Sequence, residues 1–429
     1  MFGLLKTKHI KLFILKTLFS ILILSFLQHN NDLWAFNIEL DPRLSWQLYY
    51  EDNIAGVSNE DRFGKISGFS NRYEPELNFN IQGSRIAVTG YTRARVYRYF
   101  SEKDWDSTDR DYSIQSIFKL TTLSTVTFGA SYNLNTDPER YFKDDSSGLL
   151  VRKSQNVTKM YNGIYTYDLS PRSRVAFMFN YLIFFTDASS GSPVYSYSLN
   201  YDYSLGAKSS INFSVGYSKL KFNYSIAEEL LNFKLNTLTI TSGINHDFSK
   251  TFKLKLSLGW HSSDTKSERA VYKDDPVTGE QIFAGVESES NTTPGSNFNF
   301  LLEKQYHYTT VSFKGSQSLN TDPESGRTNP VRKFGFIVKY DFSSKLKNSI
   351  GWGFYKNKAS AGDYNNRRAI DYESNLFTIQ TLYRYKPNID LMLSYSRAKS
   401  KNKFSEIDIV RNNVWLQCTV RLLRPFIAR

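Results

Sequence analysis

What this chain lacks narrows it first. It has one cysteine, Cys418, in 429 residues, so neither a disulfide framework nor a cysteine-based metal site can be built. Beyond the N-terminus there is no run of about 20 apolar residues, which excludes a helical membrane protein. Proline is sparse, at 11, as extended sheet requires. Outside the first 35 residues only three histidines remain, His246, His261 and His307. Two fall at turns and one at a strand end, positions that read as rim or interface. There is no His-Glu-x-x-His, no phosphate-cradling glycine loop and no nucleophile elbow. No general base is placed with a partner, so the chain does not read as an enzyme, and nothing in it asks for a cofactor or a metal.

What is present is alternation. In the hairpin from Leu235 to Trp260, Leu238, Ile240, Ser242 and Ile244 alternate with Thr239, Thr241, Gly243 and Asn245. The returning arm sets Phe252, Leu254, Leu256, Leu258 and Trp260 against Lys253, Lys255, Ser257 and Gly259. Side chains of a strand change face at every residue, so each arm has one apolar and one polar face. The same rhythm recurs from Leu44 to Leu422. An apolar outside around a polar inside, with no ordinary core, is the pattern of a single closed antiparallel transmembrane β-barrel. Aromatic content is high, at 16 %, which suits strands and membrane interfaces.

The alternation predicts eighteen strands. They run from Arg43–Asp52, through Arg72–Gln82 and Arg85–Tyr99, to Leu391–Ser396 and Asn413–Leu422. The fourth, sixth and seventh alternate least regularly. Connections alternate between tight turns and long polar stretches, the latter including 53–71, 135–155, 262–296 and 356–372. Outer-membrane barrels have short periplasmic turns and long outer loops, so both termini fall on the short-turn side. Aromatics recur at these turns, as in Tyr167-Asp168, Tyr201-Asp202-Tyr203, His246-Asp247-Phe248, Tyr340-Asp341-Phe342 and Tyr383-Arg384-Tyr385. At one fixed height they form an interfacial girdle. A second repeat, Leu134–Glu139 against Leu319–Glu324, reads Leu-Asn-Thr-Asp-Pro-Glu both times and leads on to Val-Arg-Lys. Its Asp-Pro step starts a turn; a rim cation site from Asp137, Glu139, Asp322 and Glu324 is the lesser reading. The longest stretch, 262–296, leaves two arrangements open, an inward constriction or an outer hairpin.

At the N-terminus Lys6, Lys8, Lys11 and Lys16 precede an apolar stretch, Thr17 to Leu27, and then Leu33-Trp34-Ala35. This is the order of a secretory signal peptide. Residues 1–35 are the expected signal, cleaved after Ala35, and 36–429 the barrel. The formal charge is +13. The first 35 residues hold four lysines and Asp32, a net +3, which leaves about +10 on the rest. In a soluble protein such charge suggests nucleic acid; in a barrel it suits an anionic solute or the phosphate-rich membrane surface.

With the apolar face toward lipid, the polar face turns Arg93, Arg95, Lys253, Lys255, Lys314, Lys339, Arg384 and Arg421 into the lumen. Tyr91 and Tyr97 share the face of Arg93 and Arg95. Cations beside aromatic rings suit an anionic or sugar-like solute. The competing expectation is that inward acids such as Asp202, Glu303 and Asp341 neutralise these cations. Cys418 falls on the apolar face, a small lipid-facing filler.

The first strand, Leu44-Ser45-Trp46-Gln47-Leu48-Tyr49-Tyr50-Glu51-Asp52-Asn53, leads into Tyr73-Glu74-Pro75-Glu76-Leu77. With the repeated turns, it resembles a family of bacterial outer-membrane β-barrel porins associated with exopolysaccharide loci. The resemblance implies a Gram-negative outer-membrane pore that exports polysaccharide or another anionic polymer, with periplasmic polysaccharide export proteins as partners. A general, mildly anion-selective diffusion porin and a plugged structural or adhesive barrel are the alternatives. Many outer-membrane barrels end on a terminal Phe; here Phe426 is followed by Ile427-Ala428-Arg429.

Overall fold

The computed structural model describes residues 37–52, 67–101, 103, 106–136, 156–186, 189–226, 229–274, 281–321, 328–358, 371–402, 407–421 and 426–428. The expected signal segment therefore lies outside the described residues. So do the Asp-Pro-Glu steps of both repeats and the first Val-Arg-Lys.

Every described element of regular structure is a strand. In chain order they are β1 (Asn37–Glu51), β2 (Gly68–Gln82), β3 (Ile86–Tyr99), β4 (Ser107–Lys119), β5 (Ser124–Asn135), β6 (Asn156–Ser170) and β7 (Ser173–Thr186). Then follow β8 (Ser189–Gly206), β9 (Ser209–Ile226), β10 (Glu229–Ser249), β11 (Phe252–Asp274), β12 (Gln281–Gln305) and β13 (Thr309–Thr321). The series ends with β14 (Thr328–Asp341), β15 (Leu346–Lys358), β16 (Asp371–Lys386), β17 (Ile389–Asn402), β18 (Ile407–Arg421) and the short β19 (Phe426–Ala428). Each of β1 to β17 pairs antiparallel with the next, and β1 pairs with β2 on one side and β18 on the other. The first eighteen strands thus close into the barrel that the alternation predicts. Closure leaves the wall without a free edge, which a sheet facing lipid cannot tolerate.

Closure puts Trp46 opposite Cys418 and Leu48 opposite Leu416, so the lone thiol sits among lipid-facing side chains. After an interruption, β19 resumes the same pairing along β1, with Leu40 opposite Phe426. The terminal Phe therefore joins the barrel seam with two further paired residues behind it.

The hairpin from Leu235 to Trp260 lies within β10 and β11, with Ile240 opposite Trp260 and Ile244 opposite Leu256. Within the stretch 262–296, residues 262–274 and 281–296 are strand. β11 and β12 stay paired along it, from His261 opposite Gly295 to Asp274 opposite Gln281. Of the two open arrangements, the strand-paired hairpin is the one formed. Beyond the lipid both of its faces are wet, so the period-two signal that marks a strand is lost there.

Two aromatic rings bound the exterior. Near the short turns Tyr167, Phe248, Tyr306, Tyr340 and Tyr383 are exposed; farther along the strands so are Tyr112, Tyr197, Tyr217, Trp260 and Trp352. Between the rings the same face carries exposed Leu199, Phe213, Ile240 and Phe313. An exposed apolar belt between aromatic girdles is a lipid-contact surface.

Phe79 lies over Gly90 on this face. A Cβ at Gly90 would stand 2.4 Å from the Phe79 ring and 2.5 Å from the Ser113 carbonyl oxygen. An aromatic covering a cross-strand glycine pins register. Gly90→Ala is expected to lower stability by about 1–3 kcal/mol through overpacking. The readout is the temperature at which the purified barrel loses its compact electrophoretic mobility. Gly206→Ala, where a Cβ would meet nothing within 4 Å, should leave that temperature unchanged.

Candidate functional site: the barrel lumen

Eighteen strands leave an aqueous interior rather than a packed core. The inward face of β1–β4 carries an ion-pair network. Arg93 donates to Asp111 at 2.8 Å and lies 3.4 Å from Glu74 and 3.6 Å from Glu76. Arg95 reaches Glu74 and Asp111, each at 2.9 Å. Arg43 lies 4.0 Å from Glu76 and also bonds Asp41. Asn133 donates to the second oxygen of Asp111. Asp111 is only 3 % exposed, so its charge is held by these donors rather than by water. Beyond them Asp109 accepts from the Thr136 amide at 2.7 Å, and buried Glu51 pairs with buried Arg411.

Aromatic rings join the network. Arg93 sits over the Tyr91 ring, 5.4 Å from its centroid. Arg72 sits 4.3 Å over Tyr97 and 5.2 Å over Tyr49. Tyr97 is 2 % exposed. On β3 the cations and rings are therefore engaged with neighbouring groups of the wall. Arg93 and Arg95 are held by carboxylates, and a guanidinium already covers one face of Tyr97. The acids that hold them, Glu74, Glu76 and Asp111, are not those expected. One signal could have found two of them: folding β2 onto β3 about Gly83-Ser84-Arg85 sets Glu76 opposite Arg93, a pairing the structure contains, and by the same count Glu74 opposite Arg95.

The inward face of β11–β14 is different. Lys253, Lys255, Lys314, Lys333 and Lys339 alternate with apolar residues that face lipid, and all five are exposed. None has an ion-pair partner among the described residues. Lys253 stands opposite Glu303, but Glu303 accepts from Ser312 at 3.1 Å. Lys333, a residue the sequence reading passed over, lies 5.6 Å from the Tyr355 ring centroid. Nearer the short turns Arg384 is paired with Asp390 at 3.1 Å. Arg421 stands opposite Arg43 at the seam. Asp341 is taken by Lys347 at 3.5 Å.

Glycine shapes this wall. Gly335 and Gly353 stand opposite each other on β14 and β15. The Lys314 stem crosses the first, so that a Cβ at Gly335 would lie 3.0 Å from Lys314 Cε. Without side chains there, a recess of about 270 Å³ opens, lined among others by Lys314, Lys333, Tyr355, Ser374, Thr378 and Arg411. Its lining combines the cations Lys314, Lys333 and Arg411 with apolar Phe334, Phe354 and Leu376. His261, expected at a rim, is instead a buried inward residue of β11, against Gly295.

No family model matches this chain, and no curated protein matches it. Solved structures similar to it are outer-membrane proteins. OpdK from Pseudomonas aeruginosa has a TM-score of 0.47 at 10 % identity, over 89 % of this chain and 98 % of its own. OccK3 (OpdO) from the same organism scores 0.47 at 10 % identity, over 90 % and 96 %. OccAB3 from Acinetobacter baumannii scores 0.46 at 8 % identity, over 91 % and 99 %.

Proposed function

We propose that this chain is a water-filled pore favouring small anionic solutes. A closed barrel with a lipid-contact belt belongs in the outer membrane of a Gram-negative bacterium. One observation carries the selectivity: the lumen's charge is lopsided. The β1–β4 wall holds Arg43, Arg72, Arg93 and Arg95 against Asp41, Glu74, Glu76, Asp109 and Asp111, which is close to neutral. Of the five lysines of β11–β14 only Lys253 has acids directly opposite, Asp247 and Glu303, and none of the five is in an ion pair among the described residues. A low-dielectric wall focuses their field into the water it encloses. Anions gather there, and the exposed ammonium groups bind weakly enough to release them.

Proteoliposome swelling tests this. Proteoliposomes should swell faster in salts of a small carboxylate than in a neutral sugar of similar size. Equal rates would remove the selectivity, and no swelling would support a plug.

A second reading rests on the same lysines. A strip of weak cationic contacts across adjacent strands would also suit an acidic polysaccharide, with export proteins docking at the periplasmic end. The pinned Arg93 and Arg95 and the covered Tyr97 remove the strand that this reading relied on. Gene deletion separates the two. The pore reading expects slower uptake of small anions with surface polysaccharide unchanged; loss of surface polysaccharide, with precursors retained inside, would favour export.

A further inference from the structure

The charge not used by the lumen lies outside the barrel. On the outward face of β9, Tyr217 is followed at two-residue steps by Lys219 and Lys221. On β10 the same face runs from Leu238 through Asn236 to Lys234, and on β11 from Trp260 to Lys266. The register sets Lys221 directly opposite Lys234, and Lys234 directly opposite Lys266. Directly opposed side chains of one face have Cβ atoms about 5 Å apart, and like charges there repel. A row of three lysines with Lys219 beside it is therefore a local concentration of positive charge that the sheet does not want for its own stability.

Elsewhere at this height several outward cations are matched, and Arg110, Lys159, Arg397 and Lys399, which have no acid among the described residues, have no cation directly opposite them. Lys356 pairs with Glu373, Arg98 lies 3.7 Å from Asp106, and Lys401 lies 4.0 Å from Asp408. Arg332 donates to Gln317 at 2.8 Å. Among the described residues the four lysines of β9–β11 have no acidic partner. Of the two acids beside Lys266 on this face, Asp264 accepts from Thr292 at 2.8 Å and Glu268 has a partner of its own. Three of the four lysines are exposed and Lys219 is half-buried. Tyr217 donates its hydroxyl to Asn236 Oδ1 at 3.1 Å, which leaves the Asn236 amide nitrogen as a donor within the patch.

Height identifies the occupant. Strands rise about 3.3 Å per residue, so at barrel tilt the lysines stand roughly 5–15 Å beyond the upper aromatic ring. That is the headgroup layer, next to the lipid-contact face and on the side away from the short turns. Lysine suits phosphate as a mobile point charge. We propose that Lys219, Lys221, Lys234 and Lys266 form a binding site for the phosphorylated headgroup of an outer-leaflet glycolipid. The proposal rests on the outer-membrane reading above; it is independent of what passes through the lumen.

The test uses the full-length protein, purified in detergent and probed with lipopolysaccharide by native mass spectrometry. The wild type should retain phosphorylated glycolipid. The quadruple variant K219Q/K221Q/K234Q/K266Q should bind at least tenfold more weakly, while inserting and conducting as the wild type does. If that variant fails to fold, K221Q/K234Q removes the centre of the row and should lose most of the binding. A measurement on the wild type alone gives a further arm: enzymatically dephosphorylated lipopolysaccharide should bind at least tenfold less well. Equal binding by wild type and variants, or indifference to dephosphorylation, would overturn the proposal. Displacement by inorganic phosphate at equal concentration would also overturn it, since it would mark a free-anion site. A chain that never reaches the outer membrane would instead remove the reading on which the site rests.

Discussion

Replacing Asp111 with asparagine is expected to cost the barrel about 3–5 kcal/mol, the range for removing one partner of a buried charge pair. The size follows from geometry. Asp111 is almost fully enclosed and takes bonds from Arg93 at 2.8 Å and Arg95 at 2.9 Å. Asparagine keeps the shape but supplies no charge. Its amide would point a donor at a guanidinium that has none to accept it. Glu74 still reaches both arginines, so the lower end of the range is the better expectation. Denaturant unfolding in micelles reads it as a lower midpoint with an unchanged slope. A double variant, Asp111→Asn with Arg95→Met, should recover part of the loss, because it removes the stranded charge along with its partner. An unchanged midpoint in the single variant would mean that water, not protein, solvates this network.

The second large effect is on selectivity. Changing Lys253, Lys255, Lys314, Lys333 and Lys339 together to glutamine should bring the chloride-to-potassium permeability ratio close to one. Changing them to glutamate should invert it. A lumen potential of about one kT enriches anions and depletes cations to a ratio of about seven, and fields of several kT are available to clefts lined by one sign of charge. High salt should erode the preference, since the Debye length shrinks to about 3 Å at 1 M. Replacing Arg93 and Arg95 together with their partners Glu74 and Asp111 by neutral residues should change selectivity little and stability much, because it takes no net charge out of the lumen. The opposite ranking would assign the lumen's field to β3.

The two walls also show how far the sequence could be read. Where one face meets lipid and the other water, alternation is forced, and the strands from Leu44 onward are legible for that reason. Residues 262–274 and 281–296 stand beyond the lipid, where Ser, Thr, Asp and Lys suit both faces, and their pairing left no trace in hydropathy. Inwardness of Lys253, Lys255, Lys314 and Lys339 follows from the apolar residues beside them. Whether an inward charge is free depends on the neighbouring strand. Lys255 stands opposite Asn245 and Leu301, whereas Arg93 stands opposite Glu76 and Asp111. Pro75 hides part of this, since it lacks an amide to donate and the β2–β3 ladder is interrupted beside it. Arg72 lies on the far side of that interruption, but the register is unchanged across it, so its place opposite Tyr97 could also be counted off from the turn.

The most direct test of an anion-favouring pore is the reversal potential of the wild-type protein in a planar bilayer under a KCl gradient. It is expected to carry the sign of the chloride equilibrium potential and to collapse toward zero in the five-lysine glutamine variant. A reversal potential of potassium's sign, or a folded and inserted barrel that passes no current, would contradict the account.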